Sequence, residues 1–156
     1  MPRNESYLTK RGLRTLQGEL EQLKSVRRPE VAGRIHKAGE TGGTVDNAEY
    51  DEAKNEQAFA EGRILELENI LSNAVVAPAR KKGQKSIGFG SSVTVVTDEG
   101  TKRRYKVVGS AEAAPLDGKI SNESPVGRAL LGREVGDKVV VETPSGVMKL
   151  TIASIR

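Results

Sequence analysis

The chain contains no cysteine and no tryptophan, and its two phenylalanines and three tyrosines bring aromatics to only 3% of 156 residues. Without cysteine there is no disulfide, no thiol nucleophile and no thiolate metal ligand. With so few large rings a single big core is hard to fill, and a coiled-coil segment beside a small β domain suits the composition better. Long apolar runs are missing too. No stretch approaches the roughly 20 residues of a membrane helix, and the first residues, MPRNESYLTKRG, lack the apolar core of a signal peptide, so the expected location is the cytoplasm, with no membrane partner. Histidine occurs once, at His36, on what reads as a solvated helix face with no second ligand or nucleophile in view. There is no P-loop, no dinucleotide-binding glycine fingerprint and no Ser/His/Asp set, which argues against a self-contained enzyme. Gly88-Phe89-Gly90 precedes a strand pattern where a phosphate loop needs a helix N-terminus, so it reads as a turn.

Charge is plentiful and unevenly placed. Charged residues make up 29% of the chain and the net charge is +4. Up to Val75 there are 11 Lys/Arg against 13 Asp/Glu, whereas Val76 onward holds 14 against 8. Such polarity suits orientation on a larger charged partner. Arg80, Lys81, Lys82 and Lys85 can meet nucleic-acid phosphates through non-specific charge, but no interleaved aromatic or recognition helix marks the stretch, and a solvated linker is the plainer reading.

Apolar spacing divides the chain. Leu13, Leu16, Leu20 and Leu23 alternate steps of three and four, the seam of a helix that packs on one partner, and Thr9 can cap its start. Pro29 interrupts the helix, while Val31, Ile35 and Ala38 resume the stripe beyond it, which predicts a kink. A second seam runs through Ala53, Ala60, Ile64, Leu67 and Leu71. Between the seams lies GETGGTVDNAEY, Gly39 to Tyr50, so the two helices form an antiparallel hairpin with that stretch at its tip. After Val75 the texture becomes Pro/Gly-punctuated and basic, then alternates as short strands over Ser92–Thr97, Arg104–Val108, Lys119–Ser121, Lys138–Glu142 and Val147–Ile152. Asp98-Glu99-Gly100 and Pro144-Ser145-Gly146 are hairpin turns. Ser124-Pro125 reads as a cap and first residue of a short helix that ends before Gly132. The expected class is α+β: an N-terminal coiled-coil domain over 1–76, a basic linker over 77–83 and a small β-rich domain over 84–156.

Asp46 admits two readings. As a cap of the second helix, with Glu49 reaching back as in a capping box, it contributes about 1 kcal/mol. As a carboxylate at the end of a rigid arm it can enter a site on another macromolecule and there hold Mg²⁺ or orient a water.

The ordered motifs Leu23-Lys24-Ser25-Val26-Arg27-Arg28-Pro29-Glu30, Asp46-Asn47-Ala48-Glu49-Tyr50, Glu61-Gly62-Arg63-Ile64, Leu71-Ser72-Asn73-Ala74, Ser124-Pro125-Val126-Gly127-Arg128-Ala129-Leu130-Leu131-Gly132, Gly136-Asp137-Lys138-Val139 and Thr143-Pro144-Ser145-Gly146 cover nearly the whole chain. Together they resemble the GreA/GreB family of bacterial transcript-cleavage factors. The resemblance implies an antiparallel coiled coil followed by an FKBP-like domain. It also implies a monomeric partner of bacterial RNA polymerase, which enters the secondary channel when the enzyme has backtracked and extruded the RNA 3′ end. Tip acids of such factors help the polymerase's own active site hold its second Mg²⁺, so the ion is shared in trans rather than bound stably by the factor alone.

Carried onto this chain, the resemblance implies Asp46 as the catalytic and metal-holding residue, Asn47, Tyr50 and Lys54 as contacts to the RNA, and Glu123, Ser124 and Pro125 as the polymerase-rim contact. Two positions depart from the family pattern. Gly43 stands at the place of the first tip acid and brings no ligand, and Lys54 stands at the place of an arginine and lacks its bidentate fork. Two alternatives therefore stand beside the cleavage factor: a non-cleaving regulator or competitor in the same channel, and a coiled-coil and FKBP-like interaction module unrelated to polymerase.

Overall fold

Leucines spaced by three and four build the first element. The structure, a computed structural model, describes residues 5–40, 47–78 and 80–156. Helix α1 spans Lys10–Gln22, a π-helical turn Leu23–Arg27 follows, and α2 continues over Arg28–Glu40. The interruption expected at Pro29 takes the form of that π turn. Its wider ring accommodates a residue that has no N–H to give and whose pyrrolidine would crowd the preceding turn of an α-helix. Helix α3, Ala48–Ser72, runs back beside it.

The predicted seams are the buried faces. Leu16, Val31 and Ala38 on one arm, with Ala53, Ala60, Ile64 and Leu67 on the other, are each less than a tenth exposed, and Leu13, Leu20, Leu23, Ile35 and Leu71 are half-buried along the same stripes. Ion pairs flank the seam in antiparallel order. Arg63 grips Glu19 through two bonds of 2.7 and 3.0 Å, and Arg28 grips Glu61 through two of 2.8 and 3.0 Å. Arg34 and Arg27 share Glu56 at 2.6 and 3.1 Å. The hydrogen bond from Arg63 holds the Glu19 carboxyl below its ordinary range, and Arg28 does the same for Glu61.

The second compact unit is built from β-strands. Leu13–Asn73 form the hairpin unit, and the N-terminal residues up to Gly12 join Ala74–Arg156 in the other. Two three-residue strands, β1 (Ser6–Leu8) and β2 (Ala74–Val76), pair in parallel, so the hairpin's flanks belong with the β unit. Strands β3 (Ser92–Thr97), β4 (Lys102–Val108), β5 (Lys119–Ser121), β6 (Lys138–Thr143) and β7 (Gly146–Ile155) form one sheet in the order β5-β4-β3-β7-β6. All its pairings are antiparallel except β4 with β5. A register shift between Thr94 and Val95 marks a bulge, which bends a strand and strengthens its twist.

One face of the sheet carries Val93, Val95, Val107, Val139, Val141, Leu150 and Ile152, closed by Ile87 and by Leu130 from α4 (Pro125–Leu130). Every core residue is aliphatic, which is how a chain so poor in rings closes a small domain. The chain is thus α+β, a helical hairpin and a β-rich domain. β4 begins two residues earlier than its pattern predicted and β7 extends three residues beyond it, because ladder pairing carries strands past their apolar alternation. Among the described residues no helix is long and apolar enough to cross a membrane.

The Glu19–Arg63 pair gives the hairpin a pH dependence of known sign. Because Glu19 is held below the ordinary 4.5 when folded, its contribution is fully present above that value and is lost as pH falls through the lowered one. Glu19→Gln should therefore flatten the fall in hairpin melting temperature between neutral pH and about pH 3, within the usual carboxylate range. An unchanged pH profile would mean that this pair does not couple to folding.

Candidate functional site

Among the described residues, one side chain bridges the two helices near the far end of the hairpin. Asn47 lies just outside α3 with extended backbone, φ −102° and ψ 90°, and its Oδ1 accepts from the Tyr50 N–H at 3.1 Å. Its Nδ2 donates at 2.7 Å to the carbonyl of Ala38, near the end of α2. One amide thus satisfies an orphan donor of the incoming helix and a carbonyl of the outgoing one. This corrects the expectation that Asp46 caps α3 with Glu49 as the capping-box partner. The helix starts at Ala48, and the capping group must donate to Ala38 as well as accept from Tyr50, which a carboxylate cannot do. Asp46 itself, with Gly43, lies outside the described residues.

Behind the cap, Tyr50 and Lys54 share a helix face one turn apart. The Lys54 ammonium sits 5.8 Å from the centre of the Tyr50 ring, a cation–π contact. Lys54 is exposed and Tyr50 half-buried, so the pair presents a ring and a charge together. Glu49 and Asp51 occupy the first turn of α3, where negative charge suits the helix dipole. His36, expected on a solvated face, is exposed and pairs with Glu40 at 3.0 Å. Among the described residues no group of three or more His, Asp or Glu side chains can hold a metal ion.

The second group of expected residues is in the β unit. Ser124 caps α4, accepting from the Gly127 N–H at 3.1 Å while its hydroxyl donates to the Ser121 carbonyl at 2.6 Å. Pro125 follows at the first helical position, as predicted, and is exposed. Glu123 is exposed as well and is not loose: its carboxylate accepts from Ser110 Oγ at 2.9 Å and its N–H donates to Ser121 Oγ at 3.0 Å. Gly127 makes this loop possible, because a Cβ there would lie 2.0 Å from the Ser121 carbonyl oxygen. The structure therefore brings Glu123, Ser124 and Pro125 together as one hydrogen-bonded ridge, with Glu123 and Pro125 exposed and Ser124 half-buried. It groups Asn47, Tyr50 and Lys54 separately, in the hairpin unit.

Sequence reasoning missed Glu112. Its carboxylate accepts from the Thr9 N–H at 2.9 Å and from Thr9 Oγ1 at 2.6 Å, and Thr9 Oγ1 in turn accepts from the Gly12 N–H at 2.9 Å. Thr9 is the expected cap of α1, but a carboxylate 103 positions away holds it in place. The only signal was Gly12: a Cβ there would lie 2.0 Å from the Glu112 carboxyl.

The family model for the N-terminal part of transcription elongation factors matches residues 6–76, and the GreA/GreB C-terminal model matches residues 82–156. The transcription elongation factor GreA of Chloroflexus aggregans is 48% identical over 157 residues, covering 100% of each chain. That of Thermoanaerobacter pseudethanolicus is 50% identical over 150 residues, covering 96% of each. Among solved structures, GreA factor homolog 1 of Thermus thermophilus aligns with a TM-score of 0.45 at 36% identity, over 98% of this chain and 99% of that one.

The two bonds of Asn47 can be separated by substitution. Asn47→Ala removes both and should destabilise the hairpin by about 1–2 kcal/mol. Asn47→Asp keeps the acceptor, loses the donor and sets a carboxylate against the Ala38 carbonyl, so it should fall between alanine and the wild type in thermal unfolding followed by circular dichroism. Equal stability of Asn47→Asp and the wild type would show that the bond to Ala38 contributes nothing.

Proposed function

The chain belongs to the GreA/GreB family of transcription elongation factors, and from that premise we propose that it binds RNA polymerase and carries the Asp46 carboxylate into the enzyme's secondary channel to promote cleavage of a backtracked RNA 3′ end. The observation that carries this reading is the cap. Asn47 is the N-cap residue of α3, so that cap bond does not call for a carboxylate at position 46. An acid that is not the α3 cap is one a partner's chemistry can use.

In this account each chain residue has a distinct task. Asn47 fixes where α3 begins, and hence the level along the hairpin from which residue 46 emerges. Tyr50 and Lys54, one turn back, meet the extruded RNA: the ring offers a face to a base and the ammonium a charge to a phosphate. Asp46 supplies one oxygen ligand to a Mg²⁺ whose other oxygens belong to the polymerase. When bound there, that ion lowers the pKa of a coordinated water and neutralises charge on the scissile phosphate. The Glu123-Ser124-Pro125 ridge docks at the rim. The chain is then no enzyme in its own right but a supplier of ligands to one.

Gly43 favours a second reading. A glycine at the place of the first tip acid leaves one carboxylate where the family pattern has two, and fewer charged oxygens hold a divalent ion less firmly. A factor so reduced would occupy the channel and regulate elongation without efficient cleavage.

The two readings part in one assay. On a stalled, backtracked elongation complex, Asp46→Asn should cut RNA cleavage by about tenfold or more, the range over which a lost transition-state contact acts, while hairpin stability stays unchanged. Gly43→Asp should raise cleavage above the wild type. Wild-type protein that stimulates no cleavage, with Gly43→Asp that does, would favour the channel regulator; Asp46→Asn that cleaves as well as the wild type would remove the metal role. Docking is tested separately by Glu123→Lys with Pro125→Ala. These two changes leave the Ser124 cap in place and should weaken binding to core polymerase at least about tenfold by loss of the rim contact. Undiminished binding by that folded variant would exclude the ridge as the docking surface.

A further inference from the structure

The β unit holds a cleft of about 880 Å³ that the proposed function does not use. Its walls come from the start of α1, the linker, the turn before β3, β4, the loop before β6 and the end of β7. Arg80, Lys81, Lys82, Lys85, Lys106 and Arg156 line it, whereas Glu134 is the one acidic side chain there. Positive charge of this density in a concavity focuses field on whatever enters. The ion pairs that join described residues all lie in the hairpin, and none involves any of these six bases.

The linker is folded against this cleft rather than free in solvent. The Arg80 guanidinium donates through both Nε and Nη2 to the Gln84 carbonyl, while the Gln84 N–H donates to Lys81 O at 3.0 Å. The Gln84 side chain accepts from the Lys81 N–H at 3.2 Å and donates to Ser86 Oγ at 3.1 Å. Gly83, at φ +89°, turns the chain between them. Ile87, just beyond, is sunk in the core. Lys81, Lys82 and Lys85 are therefore displayed on a closed turn with their charged ends exposed, so part of the entropic cost of placing them has been met in the free protein.

The sequence offered no aromatic to accompany these bases, but folding brings one. Phe89 lines the same cleft, half-buried, and is backed by Tyr7 with ring centroids 6.4 Å apart and planes inclined by 51°. Bases beside a supported ring are the pairing that holds single strands, charge to the backbone and ring to a base face. An acidic polypeptide would use the charges and leave the ring without a partner. A duplex keeps its base faces stacked inside and would leave it equally idle.

We propose that this cleft binds single-stranded nucleic acid, with Lys81, Lys82 and Lys85 on successive phosphates and a base stacked on Phe89. Each element has its part: the closed Arg80–Gln84 turn sets the spacing of the lysines, Lys106 and Arg156 line the opposite strands, and Tyr7 fixes the tilt of the ring. Recognition is of backbone and base face, so it is indifferent to base sequence. DNA and RNA strands share this chemistry, and a 2′-hydroxyl contact would distinguish them.

The test is fluorescence anisotropy of labelled oligothymidylate and oligouridylate dodecamers with the full chain, across a salt series. Binding of one or both strands at low salt is expected, and their ratio tells whether DNA or RNA is the better ligand. The triple change Lys81→Gln, Lys82→Gln, Lys85→Gln should weaken binding about tenfold or more and lower the slope of log affinity against log salt by about two, since each neutralised phosphate of a single strand contributes about 0.7. Phe89→Leu keeps an apolar group in the wall and should weaken binding about tenfold while leaving the salt slope unchanged, because stacking releases no counterions. A charge-matched control, Lys102→Gln, Lys138→Gln, Lys149→Gln, alters exposed lysines that do not line the cleft and should bind as the wild type does. The proposal is overturned if the control loses as much as the cleft variant, if a blunt duplex binds as tightly as the single strands, if oligoglutamate displaces the strand while Phe89→Leu is silent, or if no strand binds at low salt.

Discussion

Among the described residues, a single primary amide links the end of one hairpin helix to the start of the other. Asn47 must accept from the Tyr50 N–H and donate to the Ala38 carbonyl at the same time, and among small side chains only a carboxamide has both capacities at this reach. The bond to Ala38 ties the end of α2 to the start of α3 and so sets the register of the two helices. Small residues make this possible. Ala38 and Ala53 are the buried seam residues nearest the closure, and at a methyl's thickness the backbones approach closely enough for one side chain to span them.

Register set at the tip is carried along the seam by aliphatic burial and at its flanks by charge. Leu16, Val31, Ile64 and Leu67 supply the apolar area, at about 25 cal/mol per Å² removed from water. The arginine–glutamate pairs are half-exposed, so they contribute little free energy each. Their value is in alignment. A bidentate guanidinium–carboxylate pair tolerates little sliding, and two of them, Arg63 with Glu19 and Arg28 with Glu61, oppose a shift of one helix along the other. In the proposed function, an arm that presents residue 46 at a fixed distance needs that resistance more than it needs extra stability.

The seams, both β-hairpin turns, the Ser124 cap and the strand run were legible in the sequence because each has a local period or a local turn signal. What was not legible depends on partners far away in the chain. Asp46 and Asn47 are equally good caps by propensity, and only the donor needed at Ala38 decides between them. Strands β1 and β2 are three residues each, too short for an alternation to register. Glu112 reads as an ordinary loop acid until it is found on Thr9, and Phe89 reads as a turn residue until the linker folds beside it. The candidate site was half legible in the same way. Ser124-Pro125 announced itself, whereas the rigidity of Glu123 comes from Ser110, across the loop.

An acid at position 46 beside an α3 cap that is supplied by Asn47 is the core of the functional account, in which it serves as a ligand lent to another enzyme's metal. That idea makes a claim about Mg²⁺ itself, independent of any substitution. The most direct measurement is the Mg²⁺ concentration for half-maximal RNA cleavage by a backtracked polymerase, with and without this protein at saturation. A carboxylate brought to the site in trans should lower that concentration as well as raise the rate. An identical Mg²⁺ requirement with and without the protein would contradict the account.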